Sequence, residues 1–64
     1  MQDFKARLEK EILELVEKIV KLKKFIDSND FLNIDSEQKG LLYAQFQVMK
    51  SYHLILEKRF SLLK

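Results

Sequence analysis

Sixty-four residues with twelve Lys or Arg and ten Asp or Glu make one domain at most, with a net charge of only +2. The lack of Cys and a single His exclude a disulfide framework and a zinc constellation, and no Pro with one Gly argues against loop-rich or disordered classes. So slight a positive balance argues against duplex nucleic acid as a partner, because such affinity comes largely from phosphate neutralisation.

The N-terminal stretch MQDFKARLEKE carries a charge every few residues. No secretory signal is expected from it, nor a membrane span from any apolar run in the chain. The expected location is cytoplasmic.

The first helix is expected from about 2 to 26. Phe4, Leu8, Ile12, Leu15, Ile19, Leu22 and Ile26 step by threes and fours, a heptad-like seam. Leu13, Val16 and Val20 form a second strip beside it, so the apolar face is broader than one coiled-coil seam. Glu14–Lys18 and Glu17–Lys21 stand in the favourable i,i+4 order. Lys21, Lys23 and Lys24 lie near the negative end of the helix dipole, where they offset it or meet an anionic ligand.

The break, residues 27–35, begins Asp27-Ser28-Asn29-Asp30, short polar side chains that compete for helical hydrogen bonds. Phe31, Leu32 and Ile34 follow, and predict a turn of helix packed across the hairpin mouth. Asp35 reads as an N-cap, with Gln38 three residues on as in a capping box.

The second helix is expected from about 36 to 63. Leu42, Met49, Leu56 and Leu63 repeat every seven residues, Leu41, Val48, Ile55 and Leu62 repeat beside them, and Phe46 and Phe60 thicken the same side. Gly40 costs roughly 1 kcal/mol against Ala inside a helix, and permits close approach of another backbone or a ligand. The connection is short, so the helices are antiparallel neighbours. Each carries more apolar surface than one neighbour covers. The expected fold is therefore all-α, an antiparallel two-helix hairpin assembling into a homo-oligomeric helical bundle, with a dimer as the simplest closed form.

Gln38, Gln45, Tyr52 and Arg59 are spaced by heptads and line one stripe of the second helix. Such groups beside a seam either set register or converge on a ligand where copies meet. In the second case Tyr52 stacks on a base, Arg59 forks a phosphate, Gln45 reads an amide-like edge and Lys24 adds positive charge. Tyr43 and His53 read as boundary residues. No carboxylate or nucleophile partner for His53 is evident, and neither a phosphate-cradling Gly-rich loop nor a metal-ligand spacing is present. No enzyme activity, cofactor or metal is expected.

Two patterns flank the turn: Leu22-x-x-Phe25-Ile26-x-Ser28-x-x-Phe31, and Leu41-Leu42-x-x-Gln45-x-x-x-Met49-x-x-Tyr52-x-x-Ile55-Leu56-x-x-Arg59-Phe60. Together they resemble a family of very small proteins encoded by crAss-like phages, over about 9–60. The family often has Ile where this chain has Phe60, and Leu where it has Ile34. The architecture is also similar to that of small phage helical-hairpin proteins that oligomerise and sequester nucleotide immune signals, countering CBASS and Thoeris defence. The likeness implies a sponge for a cyclic oligonucleotide or a cyclic ADP-ribose derivative, held at subunit interfaces without cleavage. The likeness carries no binding residue over to a numbered position of this chain. The alternative is a coiled-coil interaction module, or an inhibitor that docks on a host protein through the leftover apolar strips.

Overall fold

The computed structural model describes residues 2–63, and side chains from residue 3 onward. Three helices follow in order: α1, Gln2–Ile26; α2, Asn29–Leu32; and α3, Ser36–Ser61. No strand occurs among the described residues. Lys5 meets Phe60 and Glu11 meets Tyr52, so α1 and α3 run antiparallel along their length. The result is a rod of 47 × 14 × 13 Å.

Local chemistry sets the boundaries. Ser28 takes an extended conformation (φ −92°, ψ 164°) and breaks the helical path. Its Oγ donates to the Phe25 carbonyl at 2.6 Å, satisfying one acceptor at the end of α1. The expected turn of helix across the mouth is present as α2, which makes the helix count three where the hairpin description counts two. Phe31 of α2 meets Phe25 edge to face, ring centres 6.0 Å apart. Asp35 caps α3, its Oδ1 accepting from the Gln38 backbone N–H at 2.8 Å. α3 ends two residues earlier than expected. The Leu62 N–H is shared between the Lys58 and Arg59 carbonyls, and the Ser61 hydroxyl donates to the Lys58 carbonyl. The last turn thereby tightens and closes.

The core is a single seam. Leu8, Ile12 and Leu15 of α1 bury against Leu56 of α3, with Ile19, Met49, Phe60 and Leu63 packed around them. Phe46 is buried too, with the Lys50 ammonium 5.1 Å from its ring centre. Of the rows read from the sequence, Leu42, Met49, Leu56 and Leu63 turn towards α1. Leu41, Val48, Ile55 and Leu62 stay exposed, and so do Leu13, Val16 and Val20 of α1. At about 100° per residue the two exposed strips point to opposite sides of the hairpin. The strip on α3 lies on the side marked by the Glu11–Tyr52 contact, and the strip on α1 on the side marked by Lys5–Phe60.

So thin a rod exposes much surface. Its accessible area is 5342 Å². Size scaling gives a compact monomer of 7.7 kDa roughly 4,300 Å². The Cα radius of gyration is 14.7 Å, against about 11 Å for a globule of this length.

Candidate ligand site

Antiparallel pairing turns the heptad stripe of α3 into a two-sided feature. Residues whose numbers sum to about 63 lie level with one another, as the pairs Phe4–Arg59 and Glu11–Tyr52 show. Gln38, Gln45, Tyr52 and Arg59 are therefore faced by Phe25, Lys18, Glu11 and Phe4, which are themselves spaced by sevens. Two of these rungs, Phe4–Arg59 and Glu11–Tyr52, close by side-chain contact.

At the open end of the hairpin, the Arg59 guanidinium sits over the Phe4 ring, 5.9 Å from its centre. This cation–π contact orients the planar fork without consuming its donors. Arg7 lies one turn further along α1, its Nε donating to the Asp3 carbonyl at 3.3 Å. Phe4, Arg7, Leu8, Glu11 and Arg59 together line an open cleft of about 260 Å³. A larger concavity of about 440 Å³, along Asp3, Ala6, Arg7 and Lys10, is formed by one helix face and has no converging groups.

Tyr52 borders the cleft. Its hydroxyl donates to the Glu11 carboxylate, which holds the phenol above its ordinary pKa of 10.0. Partial burial and the negative charge of Glu11 push the same way, while Arg59 pulls slightly against them. Glu11 thus pins the phenol ring in place and, with the Arg59 and Arg7 guanidiniums nearby, gives the cleft mixed charge. Two arginines, an aromatic face and a fixed phenol can grip a phosphate and stack on a base.

The structure gathers Tyr52 and Arg59 on one face but does not bring all four expected site residues together. Gln45 lies on the same face, two helical turns beyond Tyr52, its amide 3.9 Å from the Met49 sulfur. Lys24 stands exposed twenty residues beyond Phe4 on α1, roughly 30 Å along the axis. Phe4, Arg7 and Glu11 were not among the expected site residues. Folding the chain at residues 27–35 and reading across at constant sum would have found Phe4 and Glu11.

His53 also departs from expectation. Its Nε2 lies 3.3 Å from the Glu57 carboxylate, an i,i+4 partner within the same helix. This pair is on the opposite side of α3 from Arg59. Within ion-pair distance among the described residues are this pair and Lys23–Asp27 at 2.8 Å, whereas the expected Glu14–Lys18 and Glu17–Lys21 pairs are not closed. Among the described residues no group of His, Asp and Glu could hold a metal ion. No described helix is long and apolar enough to cross a membrane.

The sequence pattern of the Sequestin family matches residues 2–62. The chain is also 41% identical, over the full 64 residues of both proteins, to an uncharacterized 7.5 kDa protein from the denB–rIIB intergenic region of Enterobacteria phage T4. No solved structure matches it. The phage setting read from the sequence is thus met by a T4 relative, and the chain belongs to the Sequestin family of small phage proteins.

Proposed function

We propose that this protein is a phage counter-defence sponge: it binds a nucleotide immune signal of the cyclic oligonucleotide or cyclic ADP-ribose type and holds it without cleaving it. The observation that carries the reading is the cleft where Arg59 and Arg7 flank Phe4 beside the pinned Tyr52. Guanidiniums recognise phosphate oxygens in a planar, bidentate way, and the aromatic faces accept a base. The family's name speaks of sequestration, and a relative encoded by phage T4 fits a role during infection. Binding alone is the function, with no catalytic step and no cofactor. The protein works as a homo-oligomer in the host cytoplasm, with the ligand where copies meet.

A thermal-shift screen against cyclic dinucleotides, cyclic trinucleotides and cyclic ADP-ribose isomers tests this. A ligand held by the folded state alone at a hundred times its Kd adds about 2.7 kcal/mol, which is many degrees in so small a domain. Heating the complex should then release the molecule unchanged, as chromatography would show. Arg59→Ala should abolish the shift and leave the melting temperature of the free protein within a few degrees. A panel without any shift, or release of a hydrolysed product, refutes the proposal.

The exposed apolar strips favour a second reading, a module that docks on a host protein. It predicts a stoichiometric host partner in a pull-down, lost with Val48→Glu and indifferent to Arg59→Ala.

A further inference from the structure

We infer that a second copy of this chain packs antiparallel against the α3 strip Leu41, Val48, Ile55 and Leu62, and that Gln45 of each copy completes the ligand cleft of the other. The part concerning the cleft rests on the binding role proposed above; the pairing stands independently of it.

Three observations carry the pairing. The first is area. The chain exposes 5342 Å², roughly 1,000 Å² above the value for a compact monomer of its mass. A standard interface covers about 800 Å² per partner. One face-to-face contact removes that excess.

The second is the character of the strip. Leu41, Val48, Ile55 and Leu62 are 60%, 67%, 57% and 65% exposed, one at every seventh residue, so a straight partner helix can cover all four. Ala44 and Ser51 flank them and let the backbones approach closely. The strip on α1 is shorter, at three residues, and is bordered by Glu9, Glu17 and Lys24, whose charges oppose burial.

The third is charge. Lys58 and Arg59 both stand in the last turn of α3. A parallel pair would set four cations side by side. Antiparallel pairing, with Leu41 against Leu62 and Val48 against Ile55 of the second copy, places each cation pair beside neutral Ala44 and Gln45.

That register also resolves a difficulty of the single chain. Gln45 and Arg59 are fourteen residues apart on one helix, about 21 Å, too far to hold the same small molecule. In the antiparallel pair, Gln45 of the second copy arrives at the level of Lys58 and Arg59. The two-fold relation keeps both α1 helices on the same side, so the cleft faces the second copy and not open water.

The chain has no cysteine, so introduced thiols report the pairing directly. Val48→Cys and Ile55→Cys chains, distinguishable by a mass tag, are mixed and mildly oxidised. The antiparallel register gives mainly the mixed cross-link. Mainly same-variant cross-links, or a monomeric mass for the wild type at tens of micromolar, overturn the pairing. A second measurement reads the shared cleft with a cyclic dinucleotide as probe. Gln45→Ala and Arg59→Ala chains each lose binding alone, but mixing regenerates an intact cleft in every mixed dimer, about a quarter of the wild-type sites. No recovery on mixing overturns the shared cleft. The mixed cross-link with no nucleotide bound by the wild type supports the pairing and refutes the binding role instead.

Discussion

Two rows of α3 run side by side with the same heptad spacing and nearly the same composition. Leu42, Met49, Leu56 and Leu63 face α1, and Leu56 is completely buried. Leu41, Val48, Ile55 and Leu62, each one residue earlier, stand largely in water. A rotation of about 100° separates the rows. Their difference therefore lies not in side-chain chemistry but in how many neighbours one hairpin supplies. One hairpin covers the first row and leaves the second uncovered.

The largest expected effect comes from setting the rows against each other. Leu56→Ala removes the side chain at the centre of the seam and should cost about 2–5 kcal/mol, enough to unfold so small a domain at ordinary temperature. Ile55→Ala, one residue away, separates the alternatives. If its row is free, the change stays within about 0.5 kcal/mol and does not depend on protein concentration. If a second copy covers the row, the loss is larger at high concentration and shrinks on dilution. Urea denaturation of both variants across a hundredfold dilution series decides between them.

Asp35→Ala should cost about 1 kcal/mol, because the Gln38 N–H loses its acceptor at the start of α3. This change sharpens the comparison, because it loosens the helix that bears both rows without touching either. Helicity by circular dichroism and melting temperature should fall, while the cross-linking pattern of the α3 strip stays the same.

Most of the fold was legible in the sequence, since its signals were local. The seam of α1, the polar break after Ile26 and the Asp35 cap are read from neighbouring residues, and they set the helix boundaries to within two residues. Which row of α3 faces inward was not legible, because Leu41 and Leu42 begin rows of equal hydrophobicity and spacing. The site was half legible. Tyr52 and Arg59 showed themselves through their spacing on one helix. Their partners Glu11 and Phe4 lie some forty or more residues away in the chain and needed the hairpin register. Lys24 was drawn in by charge alone, and the structure leaves it near the turn, far from the cleft.

Gly40→Ala sharpens the comparison at a position beside the exposed row. A Cβ at residue 40 meets nothing within 4 Å in the chain, so the backbone conformation is the whole effect. The substitution should stabilise a lone hairpin by up to about 1 kcal/mol. A loss of stability that depends on concentration would instead mean that another backbone passes close to residue 40.

The smallest effect concerns Tyr52, which stands on the edge between the two rows. Its phenol titrates above 10.0 in the folded chain because its hydroxyl donates to Glu11. A folded pKa raised above the unfolded one means that the contact stabilises fully below about pH 10 and is lost as pH rises through the folded value. The tyrosinate would then face the Glu11 carboxylate. The difference in melting temperature between wild type and Tyr52→Phe should be constant up to about pH 10 and close above it. Lys23, whose pKa is also raised by its hydrogen bond to Asp27, is common to both proteins and cancels. Absorbance titration of Tyr43→Phe isolates the Tyr52 phenol, and a midpoint at or below 10 would show that the Glu11 contact does not persist in solution. A second copy covering the strip would move that midpoint higher still, since burial disfavours the phenolate. The uncharged Val48→Gln chain should then titrate lower than the paired protein, which ties the state of this one phenol to whether the outer row of α3 is covered.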